Sequence, residues 1–243
     1  KLTLTSGVLS LGASVLTVTG RSEIHGILRD ANNNGSATCG GLITVYADGS
    51  WDGNVGEACD FNFMNGFAFD GGSFVSGPGF YTFLGDDQRI SGGAGISVQN
   101  LVAIGASLSG TGAFIQGANA TLEIDGTSTI ATFAAAASGN TVSYAGSAAQ
   151  TVRAGVYRTL NVGANASGSV DIAADTAVSA SLSLGATRLS TGPNTMSVAF
   201  GGVLSRTTGF VLGNLEKGIP VGSPDVPFEI GTGSDYSPVD ITF

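Results

Sequence analysis

The sequence predicts an all-β chain: a right-handed parallel β-helix (β-solenoid) with a short non-solenoid segment at its C-terminal end. Three observations carry this expectation. First, residues 179–200 alternate apolar and small polar residues, break at Gly-Ala and Gly-Pro, and alternate again. Residues 2–20 repeat the pattern and align with the later copy without a gap. Leu2, Leu4, Leu9, Gly12, Leu16 and Val18 fall on Leu182, Leu184, Leu189, Gly192, Met196 and Val198. Short strands and tight turns recurring in this way mark a stacked repeat. Second, 39 glycines against 6 prolines indicate many turns that need positive φ rather than a Pro-rich disordered tract. Third, the one stretch with helical propensity, residues 130–138, lacks an apolar face and lies between β patterns, so it reads as a turn of small residues. With no helix interrupting, the crossover rule gives the coil its right hand.

The elements follow in order. Residues 2–20 hold two or three strands with turns at Ser6-Gly7 and Gly12-Ala13. Residues 21–39 continue into a loop rich in Asn and Gly, residues that tolerate the left-handed region. LITVY at 42–46 is a strand, Asp48-Gly49 a turn, and 50–58 a loop. Residues 60–83 place phenylalanines at 61, 63, 67, 69, 74, 80 and 83, several at period two, so their rings form a ladder inside successive strands. Strand, glycine turn, strand continues through 89–104, 108–124, 141–162 and 169–200, with a last strand at 210–215. Four of the six prolines lie beyond residue 218, and proline is poorly tolerated in a ladder, so the solenoid is expected to occupy 1–215. At about 20 residues per turn, that is on the order of 10 or 11 turns.

Composition excludes several functions. Charged residues make up 11% of the chain and the net charge is −9, with two lysines and scattered arginines. No basic patch is available to neutralise phosphates, so nucleic acid is not an expected partner. No apolar run reaches the ~18 residues of a membrane span. The strand pattern begins at Lys1 with no targeting segment before it, as expected of a processed product or a fragment. Cys39 and Cys59 are spaced by one turn of the expected length. They are either buried thiols or a disulfide. The disulfide is the favoured reading, since such a turn would set the sulfurs on adjacent strands, and closing such a loop contributes roughly 3 kcal/mol. Two cysteines and the single His25 do not make a structural zinc site.

Catalysis is not expected. Polysaccharide-cutting β-helices need paired carboxylates and a partner histidine or arginine. Gly85-Asp86-Asp87 is the nearest approach, but the two aspartates are adjacent and His25 precedes them in the chain. Asp86-Asp87 and residues 30–34 are the oxygen-rich stretches where calcium would bind, yet no calcium-binding repeat accompanies them. No cofactor or metal is implied. Self-association is. The first strand, with Leu2 and Leu4, has no charged or proline guard, and an open strand edge templates further pairing. It is expected to stack under a neighbouring copy near Leu182, or to pair with the tail at Val239, Ile241 and Phe243. A head-to-tail contact that does not close builds a filament.

Residues 67–243 carry the stretches FAFDGGSFVSGPGFYTF, LSGTGAFIQGANATLEIDGTSTI, NTVSYAGSAAQTVRAGVYRTLNV, LSLGATRLSTGPNTMSV, GFVLGNLEKGI and FEIGTGSDYSPVDITF. In these the chain resembles secreted, repeat-bearing surface proteins of the Bacteroidetes and Chlorobi type, many of which leave the cell by type IX secretion. The resemblance implies a β-solenoid at the bacterial cell surface or outside the cell, with a structural or adhesive role. The onset of prolines makes residues 216–243 a β cap or the start of another module, and the resemblance implies that their YSPV stretch leads into a following β-sandwich or strand-exchange segment. Residues 21–60 do not follow that pattern. Tyr46 and Trp51 within them are the candidate contacts for a surface glycan, the alternative function being a carbohydrate-binding module or a degenerate polysaccharide-active β-helix.

Overall fold

The computed structural model describes residues 1–29, 35–53, 59–85, 88–91, 95–98, 100–104, 107–163, 169–222, 225–233 and 235–242. Among them no helix forms, and parallel strands stack into a β-solenoid of about nine turns, rather than 10 or 11. Several turns run longer than the sequence suggests: Ile43 stands opposite Phe67, and Ser36 opposite Asp60. The chain divides into two compact units, one of residues 1–122 with 126–134, the other of 123–125 with 135–243.

The first unit has three faces. One stacks Leu2–Leu4, Ser22–Ile24, Ile43–Val45, Phe67–Phe69, Gln88–Ile90, Ser107–Ser109 and Thr127–Ser128. The second stacks Val8–Ser10, Ile27–Arg29, Ser50–Asp52 and Ser73–Val75. The third stacks Val15–Val18, Ser36–Cys39, Asp60–Phe63, Phe80–Phe83 and Asn100–Ile104. Residues 21–60, which depart from the pattern of the resemblance, nonetheless supply strands to all three faces in parallel register. Side-chain alternation decides what is inside: Phe61, Phe63, Tyr81 and Phe83 point in and are buried, while Phe80 points out. Phe63 contacts both Phe67 and Phe83 at centroid distances of 4.8 and 4.9 Å, so the expected ring ladder forms. The small-residue stretch forms a strand at Thr132–Ala134. At the corner between the first two faces, turns approach so closely that a Cβ at Gly49 would collide with the Ile24 carbonyl, and one at Gly72 with the Gly49 carbonyl.

In the second unit the strands are longer and bend from one face to the next. Gly155–Val162 pairs with Thr176–Leu184, with a register shift where the chain turns. Leu160, Leu182 and Leu204 stack in one column, and Val170, Leu189 and Val211 in another. Thr176, Met196 and Leu215 make the third. One corner is held by two buried tyrosines. The Tyr144 hydroxyl accepts from the Arg153 N–H at 2.9 Å, the Tyr157 hydroxyl donates to the Arg153 carbonyl at 2.5 Å, and the two hydroxyls meet at 3.2 Å. Parallel strands end at Lys217. Beyond it Asp225–Phe228 pairs antiparallel with Val239–Thr242, and Gly231–Thr232 with Asp235–Tyr236.

Candidate functional site: the two end turns

A parallel solenoid satisfies the backbone of every inner turn from both sides, so its end turns are where polar edges are left over. Among the described residues the first turn is open on all three faces. Leu2–Leu4 pairs only with Ser22–Ile24, Val8–Ser10 only with Ile27–Arg29, and Val15–Val18 only with Ser36–Cys39. Of the inward residues, Val18 is buried but Leu2, Leu4, Leu9 and Leu16 are only half-buried, and Val8 and Val15 are 53% and 73% exposed. None of these strands carries a charge. Lys1 beside them is paired with Glu23 at 2.9 Å.

The last turn is different, being partly covered. Val203–Arg206 pairs only with Thr176–Leu184, and Val211–Lys217 only with Leu189–Val198, so among the described residues their outer sides take no strand. The exception is one parallel bridge from Val211 to Ile230, whose neighbour Glu229 accepts the Val211 N–H at 2.9 Å. The C-terminal segment is fastened over this point. Lys217 and Glu229, whose side chains are only 12% and 10% exposed, pair at 3.0 Å, and Lys217 Nζ also donates to the Pro227 carbonyl at 2.7 Å. The Arg206 guanidinium lies 3.6 Å from the centre of the Tyr236 ring, which also meets Phe210, and Arg188 donates to the Gly233 carbonyl. Between the antiparallel ribbon and the last turn an apolar groove of about 360 Å³ remains, lined in part by Leu215, Phe228, Ile230, Val239 and Ile241.

Of the residues expected to self-associate, two lie in the first turn and two on the ribbon beyond the last turn. Leu2 and Leu4 lie on an open edge. Val239 and Ile241, 46% and 39% exposed, lie on the ribbon that walls the groove, and Phe243 is outside the described residues. The seat expected near Leu182 is corrected. Leu182 has Leu160 on one side and Leu204 on the other, so the outer edge is one turn farther on. The Lys217–Glu229 pair and the Arg206–Tyr236 contact carry no sequence motif. Their only signal is that charged and aromatic residues gather where the prolines begin.

The disulfide is also corrected. Cys39 and Cys59 are buried thiols not joined to each other. Register explains why: Cys39 stands opposite Phe63, and Ser36 opposite Asp60, so Cys59 sits four residues back along the strand direction from Cys39, about 13 Å at the usual rise. That is beyond the reach of a disulfide. Burial pushes the Cys39 thiol up to about 11 from an ordinary 9.0.

Of the two expected glycan contacts, Trp51 is not available. It lies on the strand Ser50–Asp52, stacked between Leu28 and Phe74, fully buried against Phe61 and Phe63. Tyr46 is half-exposed, with the His25 ring stacked on it at 4.1 Å, and His25 Nδ1 lies 2.8 Å from Asp48 Oδ1. His25 therefore has partners one turn away, which nearness in sequence does not disclose. Asp86, Asp87 and residues 30–34 lie outside the described residues. Arg89, the arginine nearest to Asp86 and Asp87 in sequence, faces Asp70 at 3.4 Å. Among the described residues no cluster of three metal-binding side chains forms, and no helix is long and apolar enough to cross a membrane. No family model, curated protein or solved structure matches the chain.

Proposed function

We propose that this protein is an extracellular structural and adhesive component of a bacterial cell surface, whose solenoids join end to end, head to tail, into a filament or surface layer. The observation that carries the reading is the first turn: three strand edges unpaired among the described residues, partly exposed leucines, and no charge or proline within those three strands to repel a partner. Each edge is a row of backbone donors and acceptors that a matching turn of a second copy satisfies in the same parallel geometry as an inner turn. The last turn offers such edges at Val203–Arg206 and Val211–Lys217. A heterologous contact of this kind repeats without closing. The location rests on composition, with charged residues only 11% of the chain, and on the resemblance to type IX secretion cargo. Glycan binding is the weaker reading, because the burial of Trp51 leaves Tyr46 alone of its two candidate rings.

The test is electron microscopy of the unfixed protein across a concentration series, beside a variant lacking residues 1–11. Regular fibres with an axial repeat near one solenoid length, abolished by the deletion, are the expected result. Single particles at every concentration, or fibres unchanged by the deletion, overturn it.

A further inference from the structure

We infer that the last turn is a concealed docking surface for the first turn of a second copy, and that the C-terminal segment covers it. This rests on the end-to-end reading above and says what regulates it. The argument begins with the internal repeat. Residues 2–18 copy residues 182–198 strand for strand: Leu2–Leu4 corresponds to 182–184, Leu9 to Leu189, and Val15–Val18 to 195–198. The later copy shows what such a turn needs beneath it. Leu182 sits on Leu160, Leu189 on Val170 and Met196 on Thr176, one support on each face. The last turn repeats that triad one step on, with Leu204, Val211 and Leu215 stacked in the same three columns. A first turn continuing the ladder therefore places Leu2 above the Leu204 edge, Leu9 above Val211 and Leu16 above Leu215.

Among the described residues no strand pairs above Leu204 or Leu215, although the ribbon roofs the groove over Leu215, and the third place is filled. Ile230 forms its bridge to Val211 in the position that Leu9 of the incoming copy requires. Two strands cannot occupy the same layer of a ladder, so cap and partner compete. The cap is built for attachment at its base, through Lys217–Glu229 and Arg206–Tyr236, and is loosely fitted above it. Its ribbon leaves the groove over Leu215 unfilled, and Val239 and Ile241 remain partly in solvent. An incoming Leu16 completes the packing that the ribbon leaves incomplete. The cap thus blunts an edge that would otherwise polymerise wherever it met a first turn, and assembly begins when the cap yields.

The experiment uses the full chain and two variants that loosen the cap from opposite sides, Tyr236→Ala and Glu229→Gln. Amide exchange over residues 225–242 reports the loosening, and circular dichroism reports that the solenoid is intact. The critical concentration for fibre formation is then read by sedimentation and microscopy. It is expected to fall at least tenfold in both variants, in step with faster exchange. A critical concentration unchanged or raised in variants whose cap exchanges faster overturns the inference while leaving end-to-end assembly standing. Failure of the parent and both variants to assemble at any concentration overturns the end-to-end reading and, with it, the docking surface.

Discussion

The first turn and its later counterpart at Leu182–Val198 have the same alternation of side chains and opposite fates. Leu182, Leu184, Leu189 and Met196 are fully buried, whereas Leu2, Leu4, Leu9 and Leu16 are only half-buried. Alternation sets which face points inward in both places, because successive side chains in a strand point to opposite sides. It does not set how completely that face is covered. That is decided by the neighbours: the later turn is stacked on both sides, the first on one. In a solenoid, burial belongs to the stack of turns rather than to the turn, and a sequence pattern read locally reports direction without depth.

The largest effect expected from this contrast is on stability. Leu182→Ala empties a site enclosed by Leu160 and Leu204 and is expected to cost about 2–5 kcal/mol, as large-to-small changes in packed cores do. Leu2→Ala removes the same atoms from a half-covered site and is expected to cost well under half of that. Urea unfolding of the two variants measures both. Equal losses would mean that the first turn is as well packed as the inner one, and the contrast between them would fail.

Much of the architecture was legible because it is periodic. The strands of the first turn, the aromatic ladder from Phe61 to Phe83 and the end of parallel pairing near Leu215 all follow from alternation, glycine turns and the onset of prolines. What was not legible depends on turn length. A turn of the expected length would bring Cys59 to Cys39, but this turn is longer and brings Phe63 instead. Trp51 was misplaced for a related reason. Ser50–Asp52 looks like loop, with only one apolar residue, and its burial comes from Leu28 and Phe74 one turn to either side. The end turns were half legible. Leu2 and Leu4 show an unguarded edge in sequence, whereas the fastening of the cap by Lys217–Glu229 exists only once the ribbon folds back.

A smaller effect sharpens the same contrast through pH. Cys39 stands directly above Val18 and below Phe63, so it belongs to a covered turn, and its thiol is held neutral up to about 11 by burial. In the unfolded chain the thiol ionises near 9, so above that pH the unfolded state binds fewer protons and stability falls as pH rises. Below 9 the contribution is fully present. It is lost progressively between 9 and about 11, a gap corresponding to roughly 2–3 kcal/mol. Tyr144 and Tyr157, also raised by burial from an ordinary 10.0, add to the loss from about pH 10 upward. Cys39→Ala is expected to flatten the decline between pH 9 and about 11 in denaturant titrations. An unchanged slope would place the titrating group elsewhere and the thiol in solvent.

The smallest effect lies at the open end. Glu23 is held below the ordinary carboxylate range, chiefly by its hydrogen bond with Lys1, and the pair ties the chain's first residue to the second turn. A lowered folded value means that the contribution is present above the unfolded carboxylate's pKa and disappears as pH falls through the lowered one. The pair is exposed and screened by salt, so global stability is expected to change little. The local consequence is fraying of Leu2–Leu4, whose only partner is Ser22–Ile24 among the described residues. Glu23→Gln is expected to speed amide exchange in that strand at neutral pH and to leave exchange at Leu182–Leu184 untouched, since a strand paired on both sides opens only with the stack. Faster exchange at both places would show that the first turn and its inner counterpart open together. The depth of burial would then not be what separates them.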